Sequence, residues 1–300
     1  MRAASSRSRS DRAGRTFDNV LVCASPRYAA ALLLRQAILV VAPTGAAVRI
    51  LELPERQHGV EPARSDALEG LVESLAGRGV RLRREMARDT SGRAILGEVI
   101  AGRHDLVLKG VELSDHGGRT LEPLDLELVR RCPCPVWAVE CRSPRPPGRI
   151  VAALDPSSDD ERRRARAVGL ATLAAAVADA ARAELHVLHA WTAFGDHLLR
   201  PRMPERDLEA YERRARDVAA EALARTLAAA GVELDDRAVH LPKGHFPRAL
   251  TEFVEERDMD LVVMGTRGRT DWLESVVRPH AETVLCSTRA SAMVVKEDGV

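Results

Sequence analysis

Aromatic residues are scarce, at 3% of a 300-residue chain. A core must therefore come mainly from Ala, Val and Leu, which bury less area per side chain; a chain of this length still has enough volume to bury. Charge of one sign is not in excess either: 45 basic and 44 acidic side chains leave a net charge of +1. Nothing in that balance points to nucleic acid or an anionic membrane as a partner. Arg outnumbers Lys, which genomic base composition explains as readily as phosphate recognition does. The longest apolar stretch, Tyr28 to Pro43, is broken by Arg35 and Gln36 and is too short to span a bilayer. Catalytic signatures are missing as well. There is no GxSxG elbow, no GxxxxGK[ST] loop and no HExxH pair. Ser157 and Asp155 share one loop and His245 stands on another, and this spacing gives no evidence of a triad. No catalytic residue and no enzyme activity is expected.

Cysteines are few and odd in number: Cys23, Cys132, Cys134, Cys141 and Cys286. With no apolar run of a secretory signal, this argues for free thiols in a reducing cytoplasm. Cys132 and Cys134 sit in Arg-Arg-Cys-Pro-Cys-Pro without two further ligands at a defined spacing, so no metal site is expected. A structural role before a buried strand fits them, and Cys23 reads as a small core residue. The first residues, Met1 to Arg15, are rich in Arg and Ser with one acid, Asp11. They offer no apolar face, and residues 1–16 read as a disordered basic arm. A transit peptide has a similar composition.

What is present is the balance of a soluble globular protein, 45% hydrophobic and 30% charged, at a length suited to about two domains. The Pro/Arg-rich stretch 142–148 reads as a linker, and the segments on its two sides repeat each other. NVLVCASP (Asn19 to Pro26) matches RIVAALDP (Arg149 to Pro156), and AVRILEL (Ala47 to Leu53) matches ELHVLHAW (Glu184 to Trp191). GVRL at Gly79 matches GVEL at Gly231, DLVLKG at Asp105 matches DLVVMG at Asp260, and PVWAVE at Pro135 matches SAMVVK at Ser291. The order is the same in both halves, which implies two copies of one domain, 17–141 and 149–297.

The repeated runs are short, continuous and rich in Val, Leu and Ile, as in strands buried on both faces of a parallel sheet. Helical patterns separate them. Ser158 to Arg182 has one apolar side. Glu205 to Ala230 carries apolar residues at three- and four-residue steps, with Gly231 placed as a C-terminal cap. Pro247 and Pro279 suit first helical turns. The alternation predicts an α/β fold with five parallel strands per domain. Ligands in such sheets bind beyond the carboxyl ends of the strands. In the second half those positions are Asp155-Pro156-Ser157, Lys243-Gly244-His245 and Gly265-Thr266-Arg267-Gly268. The two glycines of the last set allow backbone N–H groups to approach an anion. Asp-Pro-Ser suits a ribose contact or a helix N-cap, and both readings stay open.

LVVMGTRGRT (Leu261 to Thr270), together with Asp155 after the first strand, resembles the universal stress protein, or UspA-like, family. The resemblance covers roughly residues 17–297 as two tandem domains. It implies Rossmann-like (adenine nucleotide alpha hydrolase-like) folds, and ATP or another adenine nucleotide as ligand. The residues it implies are Asp155, Pro156, Ser157, Gly244, Gly265, Arg267, Gly268 and Arg278. The family's Gly-[S/T] pair is replaced by Arg278-Pro279. Pro279 has no N–H or hydroxyl for a phosphate, and Arg278 is the substitute cation.

The first half has Ala24-Ser25-Pro26 where the second has Asp155-Pro156-Ser157, and Glu112 and Asp115 follow Gly110. No nucleotide is expected there. The preferred reading is a non-catalytic, cytoplasmic stress-response protein with adenine-nucleotide sensing in the second domain. A second reading is a nucleotide-independent interaction protein, and a third is a weak ATPase. The two domains are expected to pack as an intramolecular pseudo-dimer through their final strands. Homodimerisation and protein partners stay open.

Overall fold

The computed structural model describes residues 17–25, 33–36, 46–53, 80–113, 119–140, 145–156, 160–193, 195, 203–266 and 280–296. The basic arm, Cys141, Ser157, Arg267, Gly268, Arg278 and Pro279 lie outside them. The strands of the first half are β1 (Asn19–Ala24), β2 (Ala47–Glu52), β3 (Arg81–Met86), β4 (Leu106–Leu113), β5 (Arg119–Thr120) and β6 (Val136–Glu140). Those of the second are β7 (Arg149–Ala153), β8 (Glu184–Leu188), β9 (Val239–His240), β10 (Leu261–Thr266) and β11 (Ser291–Lys296). The described helices are α1 (Gly92–Gly102), α2 (Pro123–Arg131), α3 (Glu161–Ala181), α4 (Glu205–Ala230), α5 (Phe246–Glu256) and α6 (His280–Ser287).

All the described strands join one sheet in the order β3-β2-β1-β4-β6-β11-β10-β7-β8-β9, with β5 pairing antiparallel on β4. Each half contributes five parallel strands. Central strands β1, β7, β10 and β11 are buried along most of their length. Edge strand β3, RLRREM, is mostly exposed, and its charges blunt an edge that would otherwise pair with another chain. At the other edge β9 is only two residues long. Asp235 accepts from the Arg237 N–H at 3.0 Å and starts a 3₁₀ turn over Asp236–Ala238. That local bond competes with the sheet ladder, so GVEL is not a strand where its first-half counterpart leads straight into β3.

Both faces are covered. Leu170, Ala174 and Val177 of α3 and Leu223 and Leu227 of α4 pack on one face with Val20, Trp137, Ile150 and Met293. Leu250 and Phe253 of α5 and Val284 and Leu285 of α6 pack on the other with Val151 and Val262. In the first half Ile95 and Val99 of α1 join Leu128 of α2, Cys23 and Cys132. Burial pushes the Cys23 thiol up to about 12, as expected of an inert core residue. Cys132 and Cys134 are also buried, with their sulfurs 3.5 Å apart.

The repeat is visible in backbone detail. Asp105 accepts from the N–H groups of Asp18 and Asn19 at 2.7 and 2.9 Å. Asp260, its counterpart, accepts from those of Gly148 and Arg149, both at 2.8 Å. Each aspartate thus ties the start of a fourth strand to the start of a first. The halves meet through β6 and β11, which pair antiparallel with Trp137 opposite Met293. The strands of the two halves therefore run in opposite senses, and their carboxyl ends lie at opposite edges of the sheet.

Candidate functional site

β7 is followed in the chain by β8 on one side, and its other neighbour is β10. The strand order reverses between β7 and β10, where an α/β sheet opens a crevice at its carboxyl edge. The two strands run in register from Leu261 opposite Ile150 to Met264 opposite Ala153. Gly265 and Asp155 thus leave adjacent strands at this edge. Asp155 is exposed and Pro156 is buried.

The helix after β7 is capped by Asp160, which accepts from the Arg162 N–H at 2.8 Å. This corrects the helix-cap reading of Asp-Pro-Ser: the chain continues past Ser157 before α3 begins, so Asp155 lies outside the cap. Gly265 is exposed. Among the described residues a Cβ there would meet Leu170 Cδ2 and Val295 O, both at 3.9 Å, which is ordinary contact, so packing among them does not require glycine at 265.

The β8 and β9 loops flank the crevice. Trp191 bridges to Lys243, and the Gly244 N–H donates to the Trp191 carbonyl at 2.9 Å. Gly244 has φ +144°, a conformation that side chains rarely adopt. Lys243 Nζ lies 2.7 Å from Glu212 Oε1 on α4, so its charge is already engaged. His245 is exposed at the position before α5 and makes no side-chain cap bond. His189 is buried behind Asp155, and its Nδ1–H donates to the Leu154 carbonyl at 3.1 Å. Burial holds its pKa below the usual imidazole value. The structure therefore brings Asp155, Pro156, Gly244 and Gly265 to one edge. Ser157, Arg267, Gly268 and Arg278 are outside the described residues.

The first half is built differently at the matching edge. Lys109 of β4, which the repeat aligns with Met264, is 2% exposed. Its ammonium lies 2.7 Å from Asp125 Oδ1 and 3.2 Å from Glu122 Oε2. Burial opposes the Lys109 charge, but Asp125 and Glu122 more than offset this and raise its pKa. Asp125 also accepts from the Glu122 N–H at 2.8 Å, in a reciprocal cap at the start of α2. The chain's own carboxylates thus occupy the N-terminus of α2, where the helix dipole favours negative charge. Lys109 was legible only as part of an apolar run, and its partners come from a later helix.

Residues 147–296 match the universal stress protein family. The chain belongs to the universal stress protein family. Among curated relatives it is similar to universal stress protein E of Photorhabdus laumondii, 26% identical over 212 residues, covering 69% of this chain and 66% of that protein. Universal stress protein E of Escherichia coli K12 is 28% identical over 210 residues, covering 68% of this chain and 65% of the relative. The match thus spans slightly under two thirds of those relatives. Among solved structures, a universal stress protein assigned in Pseudomonas aeruginosa UCBPP-PA14 superposes with TM-score 0.73 at 25% identity over 94% of both chains. One from Archaeoglobus fulgidus superposes with TM-score 0.58 at 14% identity, over 93% of this chain and 98% of that one. The latter likeness concerns the fold alone. Both agree with the α/β architecture, and no helix among the described residues is long and apolar enough to cross a membrane.

Proposed function

We propose that this universal stress protein is a non-catalytic binding protein that takes an adenine nucleotide in its second half and none in its first. The observation that carries this reading is the asymmetry of the two carboxyl edges. In the second half an exposed carboxylate, Asp155, and an exposed glycine, Gly265, stand at the point where strand order reverses. In the first half the matching region is filled by Lys109, Glu122 and Asp125. Asp155 suits a ribose hydroxyl as acceptor. Gly265, with Gly268 after it, suits the backbone approach to a phosphate. Arg267 and Arg278 are the nearby cations in sequence, and guanidinium pairs well with phosphate oxygens. Gly244 suits the opposite wall, where the unusual φ rather than packing calls for glycine.

Pro279 removes a backbone donor and a hydroxyl from the family's final motif. A hydrogen bond to a charged group contributes about 1.5–3 kcal/mol, so affinity should be roughly 10- to 100-fold below that of a complete motif. Calorimetric titration of ATP into the full chain tests the reading. One site per chain is expected, abolished by Gly268→Asp and weakened by Asp155→Ala. Two sites per chain, or a single site indifferent to both substitutions, would overturn it.

A further inference from the structure

A second feature of the sheet lies on β8 and β9. His186 on β8 and His240 on β9 share the face covered by α5, and His186 Nδ1 lies 3.2 Å from His240 Nε2. On its far side, His186 Nε2 lies 3.2 Å from Glu184 Oε1. A carboxylate only accepts, so it holds the His186 proton on Nε2 and leaves a lone pair on Nδ1, facing the second ring. His186 is buried, while His240 is partly exposed on the outermost strand of the sheet.

We propose that His186 and His240 form a two-histidine site for a divalent transition-metal ion of the zinc class, with Glu184 orienting His186 from behind. The spacing is the main argument. Tetrahedral zinc holds imidazole nitrogens at about 2.0–2.1 Å, which places two of them about 3.3 Å apart. The observed 3.2 Å is close to that span. To bind, His240 moves its proton from Nε2 to Nδ1 and exposes a second lone pair; no proton need leave the protein. The carboxylate behind a metal-binding histidine is a recurrent device that fixes ring orientation and raises basicity. Phe253 of α5 packs 4.4 Å from the His240 ring and 6.2 Å from the His186 ring, centre to centre, and limits their rotation.

The remaining coordination falls to water, because no group of three or more His, Cys, Asp or Glu at metal-holding positions occurs among the described residues. The site is therefore an exchangeable one, and the partly exposed edge strand is its entry path. Arg257, whose guanidinium lies over Phe253, is the opposing charge nearby.

Zinc chloride titrated into the tag-free full-length chain, followed by calorimetry and by histidine resonances in NMR, tests this. One saturable site is expected, with the resonances of His186 and His240 moving together. His186→Gln or His240→Gln should weaken it at least tenfold. Glu184→Gln should weaken it by about tenfold, and Arg257→Gln should tighten it. Retention of native melting by the apo variants distinguishes lost ligation from lost fold. No saturable binding at millimolar zinc, or zinc-induced shifts confined to other residues, would overturn the proposal. So would undiminished affinity in the double variant.

Discussion

Arg130 of α2 and Glu282 of α6 join the two halves by a two-point ion pair, with Nε 2.5 Å from Oε1 and Nη2 2.9 Å from Oε2. The Glu282 side chain is 4% exposed, whereas that of Arg130 is 45% exposed. Removing the arginine leaves a buried carboxylate without its cation. Arg130→Ala should therefore destabilise the chain by about 2 kcal/mol, within the range for a hydrogen bond to a charged group. Arg130→Lys, which loses the two-point geometry but keeps charge, should cost less. Urea unfolding checks both, and a double-mutant cycle with Glu282→Gln isolates the coupling.

Lys109→Met installs in the first half the residue that the second half carries at Met264. It strands Asp125, which is 5% exposed, and Glu122 beside it. The expected loss is about 3–5 kcal/mol, as for one partner removed from a buried pair. Adding Asp125→Asn should recover much of it, because the amide oxygen can still accept from the Glu122 N–H. Denaturant midpoints of the single and double variants decide this, and equal midpoints would show that the ion pair contributes little.

Acid should act through histidines. His240 is depressed to about 4, first by burial, then by His186 and Arg257. His189 and His104 are lowered too, both mainly by burial. A depressed imidazole binds protons in the unfolded chain before the folded one. Stability should therefore fall as pH drops from about 6.5, the ordinary imidazole value, toward 4. His240→Gln should flatten part of that decline, measured as unfolding free energy against pH.

Gly265→Ala separates fold from ligand. Among the described residues the nearest atoms to a new Cβ are at 3.9 Å, which is ordinary contact, so the melting temperature should change little. A methyl group where the backbone approaches a phosphate should nevertheless weaken the nucleotide titration signal. Loss of folding, or unaltered binding, would contradict the role given to this glycine.

Much of the architecture was readable because its causes are local. The runs that became β7 and β11 are continuous apolar segments, and such segments imply strands buried on both faces. Gly231 ends α4 with φ +65°, as its place after the amphipathic run implied. The short β9 was less legible, since the Asx-type bond of Asp235 to Arg237 competes with a ladder that the apolar pattern favours. Of the two readings open for Asp-Pro-Ser, the helix cap is excluded, because Asp160 caps α3. Asp155 and Asp160 both precede a helical pattern, and only the path of the chain distinguishes them.

The sequence by itself determined the repeat, the strand–helix alternation and the loops that meet at the second half's carboxyl edge. These depend on residue order, on continuous apolar runs and on an apolar periodicity of 3.6. Only the tertiary structure decided which residues from distant segments face each other. Lys109 with Asp125, Arg130 with Glu282 and His186 with His240 are such pairs, the last separated by 54 positions. Contacts of this kind follow from sheet order and helix packing, which bring together side chains that carry no mark of one another in the linear chain. The antiparallel seam of β6 and β11 has the same origin: pairing removes two exposed strand edges at once, an advantage that exists only after both sheets have formed.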